Sequence, residues 1–199
     1  MCSSDLDAFA FLYPANLDCL QQLGAQLSYF SPLANEAVPA SADAVYLPGG
    51  YPELHAAALA ENAVWLASVL DAVAAGKPVW AECGGMMALT DVLQDQAGVT
   101  HHMAAVLQGT AVMQEKLAAL GPHFLTTVFG ELRGHSFHYS RLETAMDAVL
   151  HTMRHRDQKT GEAVYQQGSL RASYFHAYFP SCPRRSEEHT SELQSRLHL

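Results

Sequence analysis

Basic residues are scarce in this 199-residue chain: Lys and Arg total 11 against 20 Asp and Glu, giving a formal net charge of -9. Phosphate binding needs clustered Lys and Arg, so this balance argues against a nucleic-acid partner. Long apolar runs are missing too. None approaches the roughly 20 uncharged apolar residues that cross a bilayer, and no membrane partner is expected. Asp5 and Asp7 interrupt the start of the chain where a signal peptide would need a basic region and an apolar run. Only four cysteines occur, Cys2, Cys19, Cys83 and Cys182, without paired or metal-type spacing, which fits reduced thiols in the cytoplasm. There is no Gly-x-x-x-x-Gly-Lys-Ser/Thr string, so nucleotide phosphate chemistry lies outside these residues. What remains is 49% hydrophobic and 16% charged, enough apolar material for one globular domain with a full core.

The pattern of that material is α/β. Apolar strands are expected at 25–30, 44–47, 78–82 and 170–179, alternating with helices at 16–23, 53–74 and 85–93. The last part of the long helix carries Val64, Leu66, Val69, Leu70 and Val73 at mixed spacings of three and four, and ends at Gly76. This order predicts a Rossmann-like three-layer sandwich on a mixed, mostly parallel sheet, with the site at the carboxyl edge. Strands at 106–112, 124–129 and 136–140 with short connections add an antiparallel portion.

The chemistry concentrates at Cys83. In Val79-Trp80-Ala81-Glu82-Cys83-Gly84-Gly85-Met86-Met87 an apolar strand breaks at a nucleophilic residue followed by two glycines and a helix-forming stretch. That is the arrangement of a nucleophile elbow, which projects one side chain from a sheet end while glycines keep backbone from crowding it. The adjoining helix N-terminus is expected to favour thiolate over thiol. A buried structural cysteine is an equally good reading of this segment taken alone. A cysteine nucleophile needs a base placed by the fold, and His176 in the aromatic strand Tyr174-Phe175-His176 is the candidate, although eleven histidines make a chance pairing easy. Asp43-Ala44-Val45-Tyr46-Leu47 runs into Pro48-Gly49-Gly50, where adjacent glycines let backbone N–H groups point into an open site and hold an oxyanion. An ordinary βα turn explains the same glycines.

Four strings in order, Leu47-Pro48-Gly49-Gly50-Tyr51-Pro52-Glu53, Ala81-Glu82-Cys83-Gly84-Gly85-Met86-Met87, Gly134-His135-Ser136-Phe137-His138-Tyr139-Ser140 and Tyr174-Phe175-His176, resemble the glutaminase domain of the cobyrinate or hydrogenobyrinate a,c-diamide synthases. These belong to the class I-like glutamine amidotransferases, and the resemblance covers the chain from about Asp7 to Pro183. It implies a glutaminase that splits glutamine through a γ-glutamyl thioester. The ammonia then goes to a corrinoid carboxylate activated with ATP and Mg²⁺ on a separate N-terminal synthetase domain, so the only expected ligand of these residues is glutamine. It implies Cys83 as nucleophile, His176 as base and later acid, and the N–H groups of Gly50 and Gly84 as oxyanion donors. Many relatives carry a Glu two positions after the histidine, where this chain has Tyr178, so the third member of a triad stays unassigned.

Other candidates are weaker. Tyr51, His138 and Ser140 are substrate-side candidates, the last two by alternation on one face of a strand. Glu82 is expected to face away from Cys83 as a structural partner, and the helix dipole suffices to explain Glu53. His151 and His155 fit a solvated helix face and His101 and His102 a loop, so no metal is assigned. Residues 185–199 and Cys2-Ser3-Ser4-Asp5-Leu6 resemble sequencing-adapter sequence read through in translation, which leaves 7–184 as the amidotransferase domain between segments 1–6 and 185–199. On that reading the family's first buried strand and last helix are missing, and the isolated chain is expected to be poorly stable. The glutaminase of cobyric acid synthase, a non-catalytic module of the same fold and a cysteine hydrolase of the DJ-1/PfpI kind are the alternatives. A homodimer is left open.

Overall fold

Short β-branched and aromatic runs buried on both faces form the centre of the molecule. In the computed structural model, which describes residues 2–3 and 8–183, β1 (Cys2–Ser3), β2 (Tyr29–Phe30), β3 (Val45–Leu47) and β4 (Val79–Glu82) lie together with β13 (Leu170–Ser173). All their mutual pairings are parallel, in the order β13-β4-β3-β1-β2. Every residue of β3 and β4 is buried, as expected for parallel strands covered on both sides. Alternation sends Val45, Leu47, Val79 and Ala81 into one core and Tyr46 and Trp80 into a second. The first core is closed by α2 (Ala56–Glu61) and α3 (Ala63–Ala74), through Leu59, Trp65 and Val69. The second is closed by α1 (Pro14–Gln22), through Cys19. These are the three layers.

The expected long helix is broken. Residues 52–55 form a 3₁₀ turn, α2 follows, and a 93° bend at Asn62 separates it from α3. The break is made by long-range caps that periodicity does not reveal. Asn62 Nδ2 donates to the carbonyls of Pro32 and Leu33, while Asn35 Oδ1 accepts the backbone N–H groups of Val64 and Trp65 at the start of α3. The expected helix at 85–93 is likewise one turn, α4 (Gly84–Met87), followed by β5 (Thr90–Gln94). With β6 (Thr100–His102), β7 (Leu107–Met113) and β10 (Ser140–Glu143), β5 builds a four-stranded sheet ordered β10-β7-β5-β6, which packs Leu93, Leu107 and Ala111 into the first core.

The antiparallel portion is larger than expected. β8 (Ala119–Thr127), β9 (Gly130–His138), β11 (Leu150–Arg154), β12 (Thr160–Gln167) and β14 (Phe175–Ala177) extend the parallel strands into one ten-stranded sheet, and each of the five pairings beyond β13 is antiparallel. The 170–179 strand is therefore two strands. β13 lies parallel to β4, whereas β14, one residue later, pairs with β9 at the far end of the order, so the sheet curls back on itself at Tyr174. His151 and His101 lie in strands, β11 and β6, and not on a helix or in a loop.

β1 fills the sheet position between β3 and β2 that the sequence reading leaves empty. Of the two segments read as adapter, 185–199 lies outside the described residues, as do 1 and 4–6.

Candidate active site

Strand β4 delivers Cys83 to a one-turn helix, and the junction is strained. Cys83 has φ 45° and ψ -107°, a region that a residue with a Cβ rarely enters. It persists because its neighbours fix it: the Cys83 N–H donates to the Ser173 carbonyl at 2.8 Å, and the Met87 N–H donates to the Cys83 carbonyl at 2.9 Å. The glycines that follow permit close approach. A Cβ at Gly84 would lie 2.9 Å from both the N and the O of Gly50, and one at Gly85 would lie 2.3 Å from the Leu47 carbonyl oxygen. The two Gly-Gly segments thus pack backbone against backbone. Because the obstruction at Gly85 is main chain, Gly85→Ala is expected to cost about 2 kcal/mol or more of stability. A urea midpoint unchanged from wild type would contradict this.

Five of the seven nominated residues line one cleft: Gly50, Tyr51, Cys83, His138 and Ser140, together with Phe11, Glu53, Met87, Met113, Phe137 and Tyr139. Tyr51 sits at its mouth, its ring edge-on to Phe11 at 5.2 Å. Gly84 lies behind the cleft against Gly50. His176 lies instead in the wall of a second cleft, buried behind Tyr13, Arg133, His135 and Tyr178. It is nonetheless close to the first, since its ring packs on Gly49, where a Cβ would lie 2.2 Å from His176 Cε1, and its centroid is 5.6 Å from that of Phe11. No hydrogen bond joins Cys83 to His176. The Cys83 thiol has the Phe137 carbonyl as its partner, at 3.8 Å, and neither ring nitrogen of His176 has one. Catalytic contacts of this type are often loose until substrate is bound.

Burial controls the protonation states. It pushes the Cys83 thiol up, helped by the charges of Glu53, Glu82 and Glu162, and the opposing hydrogen bond from the Gly84 backbone does not compensate. The expectation of a thiolate at a helix N-terminus is thereby corrected: one turn of helix supplies too little dipole to ionise a sulfur excluded from water. Burial also holds His176 down to about 3, reinforced by His135 and His138. The free site therefore pairs a thiol with a neutral imidazole.

His138 is held differently. Its Nδ1 faces the Ser140 carbonyl at 2.7 Å and its Nε2 the Glu162 carboxyl at 3.2 Å, and its ring stacks on Tyr174. Glu162 also accepts from Ser136 Oγ at 2.6 Å. Burial would raise the Glu162 carboxyl, but the hydrogen bonds from His138 and Ser136 and the charge of His138 outweigh it and hold the group below its ordinary value. His138 and Ser140 are buried, so both shape the cleft wall through an internal network.

Three neighbours were not legible in the sequence. His135 stacks on His176 at 4.8 Å with its ring nearly parallel, and the Tyr13 hydroxyl lies 3.2 Å from His135 Nε2. Glu82 is fully buried near His176, with burial raising its carboxyl to about 7. Alternation along β4 says nothing of what β14 brings to that face. Tyr178, two positions after His176, is half exposed.

The family model for the CobB/CobQ-like glutamine amidotransferase domain matches residues 1–183. The chain is 53% identical over 176 residues to a cobyrinate a,c-diamide synthase of Herminiimonas arsenicoxydans, an alignment covering 88% of this chain and 40% of that protein. It is 46% identical over 177 residues to a hydrogenobyrinate a,c-diamide synthase of Pseudomonas aeruginosa, covering 89% and 40%. The chain thus spans about 40% of the length of these curated relatives. Among solved structures it is similar in fold to a glutamine amidotransferase, with a TM-score of 0.63 at 16% identity over 94% of this chain and 98% of the other. A Thermotoga maritima glutamine amidotransferase matches with a TM-score of 0.53 at 16% identity, covering 92% and 79%.

Proposed function

Since the chain belongs to the CobB/CobQ-like glutamine amidotransferase family, we propose that it hydrolyses glutamine and that Cys83 is the nucleophile. Sγ attacks the γ-carboxamide carbon as its proton passes to His176, and the oxyanion is held by the N–H groups of Gly50 and Gly84. Collapse breaks the C–N bond, and His176 returns the proton to the leaving nitrogen as ammonia. Water then attacks the γ-glutamyl thioester, its proton goes by way of His176 to Sγ, and glutamate leaves. The observation that carries this reading is the strained Cys83 elbow seated against the Gly49-Gly50 backbone in a cleft.

The ammonia serves the amidation of corrinoid a and c carboxylates in cobalamin biosynthesis, driven by ATP and Mg²⁺ on a synthetase domain outside these residues, in the cytoplasm. The names of the two relatives support the corrinoid amidation, and the 40% of their length that the chain spans leaves room for a separate synthetase domain. The glutaminase of cobyric acid synthase is the second reading, and Tyr51-Pro52-Glu53 with Phe137-His138-Tyr139-Ser140 favours the first.

The test is a diazo-ketone analogue of glutamine followed by mass spectrometry. One adduct is expected, on Cys83, with glutamine protecting against it. A folded chain that stays unlabelled there overturns the assignment. Tyr51, at the cleft mouth, is taken in this reading as a contact for glutamine, so Tyr51→Ala is expected to raise KM about fivefold with little change in kcat. A fall in kcat alone would argue against that role.

A further inference from the structure

The carboxyl of Glu82, immediately before Cys83, is held by three donors. Oε1 accepts the Trp80 indole N–H at 2.7 Å and the Ala177 backbone N–H at 3.0 Å, and Oε2 accepts the Tyr46 hydroxyl at 2.9 Å. A carboxylate offers about four lone-pair positions. The one left is on Oε2, and His176 Nδ1 lies 3.9 Å from that oxygen. Both side chains are wholly excluded from solvent, and neither ring nitrogen of His176 has a partner. An unfilled buried acceptor therefore faces an unfilled buried donor position, each costly to leave so. Hydrogen-bond distance requires an approach of about 1 Å. Glu82 is fixed by its three donors, and one of them, the Ala177 N–H, belongs to the residue after His176, so the remaining freedom is rotation of the ring.

From this geometry, and building on the glutaminase reading, we infer that Glu82 is the positioning residue of the site: it takes the Nδ1–H of His176 and so leaves Nε2 as the nitrogen that accepts the Cys83 proton. The carboxylate fixes the tautomer and stabilises the imidazolium that forms during attack, as the third member of a hydrolytic triad does. It does so from the residue adjoining the nucleophile, whereas the second position after the histidine offers only Tyr178.

The test uses the full chain with ¹⁵N-labelled histidine, with Glu82→Gln and Tyr46→Phe beside it. Tyr46→Phe removes one donor from the same carboxyl and leaves His176 untouched, so it reports a purely structural role. In wild type, His176 is expected as the Nδ1–H tautomer. Glu82→Gln is expected to lower kcat about a hundredfold or more with KM within threefold, and to shift the ring toward Nε2–H. Tyr46→Phe is expected to keep the wild-type tautomer and kcat within about fivefold. The inference is overturned by an Nε2–H ring in wild type, by Glu82→Gln with kcat within threefold, or by equal losses in the two variants. Should Glu82→Gln not fold, the wild-type tautomer decides. A wild-type chain that leaves glutamine intact but shows the Nδ1–H ring overturns the glutaminase reading and supports the Glu82 contact.

Discussion

Cys83→Ser is expected to lower glutamine hydrolysis by about four orders of magnitude or more and to abolish labelling by the diazo-ketone, with the fold retained. The hydroxyl is smaller than the thiol and makes the same single bond to Cβ, so the elbow, with its φ of 45°, carries the same strain in both proteins. What changes is the nucleophile. The thiol is buried and its charged form is disfavoured by that burial, so attack already depends on handing a proton to a base within the step. A hydroxyl, several units less acidic, makes that transfer far steeper. Ammonia release from glutamine, compared at equal fractions of folded protein, is the measurement. A Cys83→Ser protein with more than a few per cent of wild-type activity would place the nucleophile elsewhere.

Removal of the proposed base has the next largest expected effect. His176→Ala is expected to reduce kcat by about 10³-fold, because the free site contains no preformed thiolate to fall back on. A pH profile distinguishes this site from a thiolate–imidazolium pair. Burial, with His135 and His138 beside it, depresses His176 from 6.5 to about 3. The neutral, proton-accepting form therefore persists as pH falls through 6.5 and is lost only toward 3. In Glu82→Gln, whose residual activity no longer depends on the carboxyl that burial raises to about 7, kcat/KM for glutamine is expected to stay flat from pH 8 to about pH 5, as far as the fold survives. An acid limb centred at 6.5 would show an imidazole in contact with water and contradict the buried placement.

The stability consequence has the same sign for His176. Below its unfolded value of 6.5 the unfolded chain takes up a proton that the native ring refuses, so this group's contribution shrinks as pH falls from 6.5 toward 3. Glu82 works the other way. Its native carboxyl, raised to about 7, holds a proton that the unfolded chain releases above 4.5, so its contribution shrinks as pH rises from 4.5 toward 7. Between 4.5 and 6.5 the two partly offset each other.

Some of this was readable without coordinates because it is local. Val79-Trp80-Ala81-Glu82 is apolar enough to be a buried strand, and a cysteine followed by two glycines gives the chain a sharp turn there and lets Gly84 meet Gly50 backbone to backbone. Elements whose limits depend on distant partners differ from the pattern of their residues. Asn35 and Asn62 divide the helix at 53–74 by capping across about thirty residues of chain, and Thr90 to Gln94 became a strand because β6 and β7 flank it. The split of 170–179 at Tyr174 is of the same kind, since both halves have the composition of one strand and only their pairings differ.

Residue order alone therefore determined the family, the turn at Cys83 and the glycines that let two backbones touch, because each depends on neighbours along the chain. Tertiary structure decided the protonation of the site and the company His176 keeps. Desolvation and the approach of Glu82, His135 and Phe11 arise only when strands far apart in the chain close on one another.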